Sequence, residues 1–198
     1  MSRLLVLLST FQLISCIDAQ FNNDYPTLDL DFINGALLQQ HQEMCHFEWL
    51  TLEKRIDTLR SLLFGAPLVY SNKSYVISKF PHKNSGEAMK YCQAFGGYLA
   101  EVDDYSEFNE LKDFFLRSSV KEMVLIAGSD ELKEGTWTFQ RTGVALPFER
   151  WAPEEPNNKA QIEHCLCLWK DYIGKMNDIT CSFRNDMARF MCELPGST

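Results

Sequence analysis

Six cysteines, Cys45, Cys92, Cys165, Cys167, Cys181 and Cys192, follow the first twenty residues of this chain. A seventh, Cys16, falls inside a stretch with the marks of a secretory leader. Arg3 supplies a positive start, Leu4 to Leu8 an apolar run, and Ala19 a small last residue, so residues 1–19 are expected to be cleaved. An even set of cysteines in an oxidising compartment implies disulfides, which restrict the distant segments that can lie side by side. Six cysteines still allow many pairings, and spacing alone does not choose among them.

The 198 residues leave room for one domain with appendages. The leader's apolar run is broken by Ser9, Thr10 and Gln12, too short for a membrane span, and no later segment has a long uninterrupted one. A soluble, secreted, extracellular protein is expected. The formal net charge of −8 argues against nucleic acid as the main partner.

Residues 20–32 are polar and acidic and contain Pro26, as a linker would. Residues 33–65 read as a helix stopped by Gly65 and Pro67. Cys45, Trp49, Leu52, Ile56, Leu59 and Leu63 recur at spacings of four and three, a short heptad seam suited to a homo-oligomeric neck. In a parallel homodimer, however, Glu48 would face Glu53 and Arg55 would face Arg60, and both pairs repel. An antiparallel pairing, another partner, or a helix folded back on its own domain avoids that repulsion.

Residues 66–195 have the composition of a compact α+β domain. Tyr75-Val76-Ile77 predicts an opening strand. Asn84 with Glu87, and Asp104 with Glu107, are the capping signals of two helices. Ala88, Tyr91, Cys92 and Phe95 form the apolar face of the first, and Phe108, Leu111 and Phe115 that of the second. Met123 to Ala127 predicts a buried strand and Arg189 to Cys192 a closing one. The stretch from Gly128 to about Asp178 reads as loop-rich, anchored by Trp137, Phe139, Phe148 and Trp151.

Within that stretch oxygen-bearing side chains crowd together: Glu155, Asn157, Glu163, Asn177 and Asp178. Three carboxylates and two amides make a hard-oxygen set suited to Ca²⁺. Held close without a cation, the carboxylates would repel one another.

Four motifs in fixed order carry a family resemblance: Cys92-Gln93-Ala94-Phe95-Gly96-Gly97-Tyr98-Leu99-Ala100, Trp151-Ala152-Pro153-Glu154-Glu155-Pro156-Asn157, Asn177-Asp178-Ile179-Thr180-Cys181 and Phe190-Met191-Cys192-Glu193. From about Leu68 to Leu194 the chain resembles the C-type lectin-like domain. The resemblance implies two helices flanking two small antiparallel sheets, with a long loop region that holds calcium. It implies the disulfides Cys92–Cys192 and Cys165–Cys181, worth about 4.7 and about 3 kcal/mol in chain entropy. Cys167, two residues from Cys165 on the same strand face, could reach Cys181 instead. Whichever is left over, together with Cys45, lies outside the core pairs, and an interchain bridge through Cys45 is the functional expectation.

By the same resemblance, Glu155, Asn157, Glu163, Asn177 and Asp178 hold one Ca²⁺, and two adjacent sugar hydroxyls complete its shell. Glu155, Asn157, Glu163 and Asn177 then also bond the sugar directly. The Glu-Pro-Asn order resembles the mannose type, covering mannose, N-acetylglucosamine, glucose or fucose. Residues 158–162 lack the aromatic that galactose binders stack on the sugar. Pro156 matches a cis-proline. An accessory calcium site would use Asp130, Glu134 and Glu163, with the family's further acids replaced by Asn158 and His164. The family's core tryptophans are replaced by Met176 and Leu125. The partners implied are glycans or glycoproteins, in a setting such as pathogen recognition in innate immunity. The alternative is a calcium-stabilised domain that binds a protein, lipid or mineral without recognising sugar.

Enzyme signatures are missing. His164 with Cys165 and Cys167 lacks zinc-ligand spacing, and no Gly-x-Ser-x-Gly elbow occurs. Asn72-Lys73-Ser74 is the sole glycosylation sequon, which makes Asn72 the expected glycan site.

Overall fold

The computed structural model describes residues 33–82, 84–182 and 188–195. They fall into two compact units that divide between Leu59 and Arg60. Helix α1 spans Ile33–Leu63. Four members of its heptad seam, Trp49, Leu52, Ile56 and Leu59, are exposed, and Trp49 Nε1 donates to Glu53 Oε1 at 2.8 Å. The expected leader, the 20–32 linker and the interchain role of Cys45 lie outside what the structure describes.

The second unit contains helices α2 (Ser85–Ala94) and α3 (Tyr105–Arg117). Its strands are β1 (Leu68–Tyr70), β2 (Lys73–Ile77), β3 (Tyr98–Leu99), β4 (Met123–Ser129), β5 (Glu163–Trp169), β6 (Lys175–Thr180) and β7 (Ala188–Pro195). The strand order is β1-β2-β7-β4-β5-β6, with β3 also on β7. β7 is long enough to serve two neighbours. Its later half runs antiparallel to β2, pairing Met191 with Ile77 and Pro195 with Lys73. Its first residues run parallel to β4, pairing Ala188 with Met123 and Phe190 with Leu125. The two antiparallel sheets expected from the sequence are thus joined through β7 by one parallel pair.

Both helices start where their caps predict. Asn84 Oδ1 accepts the Glu87 N–H at 2.8 Å, and Asp104 Oδ1 accepts the Glu107 N–H at 2.8 Å. The Glu107 carboxylate departs from the capping box. Its Oε2 accepts the Asp103 N–H at 2.6 Å, while its Oε1 takes the Tyr75 hydroxyl and Lys73 Nζ. After α2 the chain turns through Gly96 at φ +76°. A Cβ on the next residue, Gly97, would lie 2.1 Å from the Glu193 carbonyl oxygen, so the turn can approach β7 only as glycine.

Strand alternation sorts the core into two layers. Val76, Leu125, Cys165, Cys167, Phe190 and Cys192 face one way and pack with Ala88 and Cys92 of α2. Tyr75, Ile77, Val124, Ile126, Leu166, Leu168 and Met191 face the other and pack with Leu111 and Phe115 of α3. Cys92–Cys192 crosslinks α2 to β7 with S–S 1.98 Å. Met176 and Leu125, which the resemblance sets in place of two core tryptophans, are each 1% exposed. The stretch read as loop-rich is in part regular, because β5 and β6 form a hairpin inside it. β5 is buried on both faces at its centre, so its residues do not alternate between apolar and polar, and the usual strand signature is lost. The irregular part, between β4 and β5, is anchored by Trp137 against Trp151, ring centroids 4.9 Å apart, and by Phe148 against Phe108 at 5.6 Å.

Candidate functional site

The β5–β6 hairpin carries three of the oxygen donors. Glu163 opens β5, while Asn177 and Asp178 of β6 pair with Cys167 and Leu166. Cys165–Cys181, S–S 2.05 Å, ties the hairpin's end, so Cys165 and not Cys167 reaches Cys181. The segment bearing Glu155 and Asn157 is stapled to β6 by the Ala152 N–H, which donates to the Met176 carbonyl at 2.8 Å. The Glu155–Pro156 peptide is cis.

Asp178 is the hub. It is 1% exposed, and its Oδ1 and Oδ2 accept the N–H groups of Asn157 at 3.1 Å and Asn158 at 2.6 Å. The Glu155 side chain meets the Asp178 carboxyl. Burial, that contact, and the charges of Asp178 and Glu163 push the Glu155 carboxyl up to about 7, against a smaller opposite pull from the Asn157 backbone. Burial also raises Glu163, opposed by the Lys159 N–H, which donates to its Oε2 at 3.1 Å. Asn177 Nδ2 donates to the Asp178 carbonyl at 2.7 Å. The other four residues of the set therefore lie around Asp178, Asn157 through its backbone N–H.

Beside them stands a second group. Asp130 Oδ1 lies 3.1 Å from His164 Nδ1, which is 3.6 Å from Glu134 Oε2. One ligand atom from each of the three falls within 4.8 Å of the others. Gly135 N–H fixes Asp130 Oδ2 at 2.8 Å, and the Asn158 amide donates to Glu134. The group that lies together here is Asp130, Glu134 and His164, while the expected accessory set of Asp130, Glu134 and Glu163 stays a proposal. Adjacent strand residues face opposite sides, so Glu163 on β5 turns to Lys159 while His164 turns to Asp130. The place of His164 in line with a family acid is the sequence signal for its position beside Asp130.

The donor set around Asp178 suits Ca²⁺. Every side-chain donor can offer oxygen, the Glu155 carboxyl meets that of Asp178 with the Glu163 charge nearby, and Glu155 Oε2 is buried without a hydrogen-bond partner. A hard cation would neutralise the crowded charge and give that oxygen its partner.

The fold is that of a C-type lectin-like domain, a family of binding modules and not of enzymes. Residues 82–194 match the family model "Lectin C-type domain", more than half of the chain, and the chain belongs to that family. It is 32% identical over 116 residues to salivary C-type lectin 2 of Aedes albopictus, covering 54% of this chain and 74% of that protein. It is likewise 32% identical over 111 residues to a perlucin-like protein of Mytilus galloprovincialis, covering 56% and 69%. Among solved structures, the mouse scavenger receptor C-type lectin carbohydrate-recognition domain superposes with TM-score 0.57 at 22% identity, covering 67% of this chain and 95% of that one. A calcium-independent type II antifreeze protein superposes with TM-score 0.54 at 18% identity, covering 68% and 97%. These likenesses establish the shared fold.

Proposed function

We propose that this chain is a secreted, calcium-dependent lectin of the mannose type, recognising mannose, N-acetylglucosamine, glucose or fucose on glycans or glycoproteins. The observation that carries this reading is the gathering of Glu155, Asn157, Glu163 and Asn177 around the buried Asp178. Ca²⁺ held by these five residues would supply direct contacts to two adjacent sugar hydroxyls. The chain's own part is orientation. The Glu155 and Glu163 carboxylates accept hydrogen bonds from the hydroxyls, and the Asn157 and Asn177 amides donate to the hydroxyl oxygens. The Asn177 amide nitrogen faces the Asp178 carbonyl at 2.7 Å and Cys167 Sγ at 3.9 Å, and would exchange the weak sulfur contact for a sugar hydroxyl. Glu155 preceding Asn157 sets donors and acceptors in the mannose-type order, and residues 158–162 offer no aromatic face for galactose.

Secretion is supported by the leader-like N-terminus and by relatives named as salivary lectins. Among the described residues no helix is long and apolar enough to cross a membrane. A single shallow sugar site binds weakly, on the order of 1 mM. We therefore assign 33–65 as a neck that joins copies of the 66–195 lectin domain through its exposed apolar seam, raising avidity. Asn72, exposed in the β1–β2 turn, is assigned as the glycan acceptor.

The test is a glycan array with calcium and with excess EDTA. Binding to mannose-type sugars in calcium, lost in EDTA and in Asn157→Asp, is expected. Binding that survives EDTA would overturn the mechanism.

A further inference from the structure

We propose that the cavity between the end of β2 and the α3–β4 loop is a second, calcium-independent site, which takes an oxyanion carried on a small molecule such as a sulfated sugar. The cavity has a volume of about 370 Å³, and Lys79, Ser119, Lys121, Glu122 and Arg189 stand in its wall. Three cations face a single carboxylate there, in a chain whose formal net charge is −8. Among the described residues, no carboxylate forms an ion pair with Lys79, Lys121 or Arg189. Lys79 Nζ is directed to the Ser61 carbonyl at 2.6 Å. Arg189 Nη1 is buried with no hydrogen-bond partner. A guanidinium held half-buried without an anion is unfavourable, and an oxyanion matching its planar fork would relieve that.

The wall is braced in advance. Lys170 Nζ donates to the carbonyls of Ser118 at 2.8 Å and Val120 at 2.6 Å, and its backbone N–H donates to Glu122 at 2.8 Å. The parallel pairing of Val124 with Arg189 fixes the guanidinium's stem beside that loop. The volume exceeds what a lone sulfate or phosphate fills and lies in the range of small-molecule sites, so the body bearing the group also fits. The chain's overall negative charge disfavours a long polyanion but not a single oxyanion. Neither Asp178 nor any of the four residues around it lines this cavity, which is why calcium is not required.

The experiment is titration calorimetry in EDTA at low salt, using N-acetylglucosamine 6-sulfate, unsulfated N-acetylglucosamine, inorganic sulfate and inorganic phosphate. Saturable binding of the sulfated sugar is expected, with none for the unsulfated one. Competition by inorganic sulfate or phosphate would assign the recognition to the oxyanion itself. Affinity should fall roughly tenfold in Arg189→Gln and in Lys121→Gln and be unchanged in Glu155→Gln. Absence of saturable binding, equal binding of the unsulfated sugar, or unaltered affinity in Lys121→Gln would overturn the proposal. Lys121 is exposed, so its variant decides the matter if Arg189→Gln fails to fold. Because calcium is chelated throughout, the result stands apart from that of the glycan array.

Discussion

The Asn177 side-chain amide lies 3.9 Å from Cys167 Sγ, placing a fully buried thiol directly against a candidate ligand. Burial raises the Cys167 thiol well above its ordinary value, so the reactive thiolate is scarce there. In the native protein Cys167 should resist N-ethylmaleimide and become labelled only after denaturation. Peptide mapping by mass spectrometry checks this. Labelling of Cys167 in the folded state, or recovery of a Cys167–Cys181 peptide, would contradict the pairing described here.

Calcium should stabilise the fold, because a ligand that binds only the native state raises its stability by mass action. At a hundredfold excess over its dissociation constant the gain is about 2.7 kcal/mol, or a melting temperature raised by roughly 5–10 °C. Scanning calorimetry with calcium and with EDTA should show that shift in the wild type and lose it in Glu155→Gln. A shift retained in the variant would remove Glu155 from the ligand set.

The parts of the fold that could be read from sequence are those whose signals are local. The Asn84 and Asp104 caps announce α2 and α3 outright, and the cysteine-bearing motifs order the chain around them. β5 escaped because Cys165, Leu166, Cys167 and Leu168 are buried on both faces and carry no alternation. The parallel β4–β7 pairing escaped because it depends on β7 being long enough to share, which is a property of the whole sheet. At the site, the crowd of carboxylates and amides is visible in the sequence, while their role as ligands comes from the family resemblance. The direction in which Glu163 and His164 turn is not visible there, since it depends on where β5 begins.

Lys73 holds two buried carboxylates. Its Nζ lies 3.1 Å from Glu107 and 3.3 Å from Glu193, each of which is 3% exposed. Burial pushes the Glu193 carboxyl up, opposed by Tyr98 and by Lys73 itself. Removing the cation leaves both acids uncompensated in a low-dielectric setting. Lys73→Met should cost about 3 kcal/mol in urea denaturation. Adding Glu107→Gln should recover part of the loss, and a double mutant no better than the single one would mean the pair is not coupled.

His82 sets a pH dependence. It is 4% exposed and lies edge-on to Phe190 at 5.3 Å. Burial, helped by the Arg189 charge, lowers it to about 4, against smaller opposite pulls from the Ala188 backbone and Glu87. The unfolded chain therefore binds a proton near pH 6.5 that the folded protein refuses until about 4. The stability His82 contributes is full above pH 6.5 and is lost as pH falls through that window, by about 2 kcal/mol between pH 7 and pH 5. Glu155, Glu163 and Glu193, all raised, work in the opposite sense. The informative quantity is thus the difference between the wild type and His82→Gln, measured by urea denaturation at both pH values. Parallel pH profiles for the two proteins would rule out a buried neutral imidazole.

The neck reading rests on apolar side chains that the helix leaves in water. Trp49 is 41% exposed, Leu52 37%, Ile56 38% and Leu59 53%, all on the heptad seam of α1. Such a stripe gains by burial in a partner helix, at roughly 25 cal/mol per Å² of apolar surface. Placing a charge in the seam should abolish that gain without touching the lectin domain. Light scattering should find the wild type oligomeric and Leu52→Glu/Leu59→Glu monomeric. Binding to a mannose-bearing polymer should then fall about a hundredfold, while the dissociation constant for free mannose stays the same. A wild-type chain that is monomeric at micromolar concentration would end the neck assignment, and equal polymer binding by both proteins would show that avidity does not arise there.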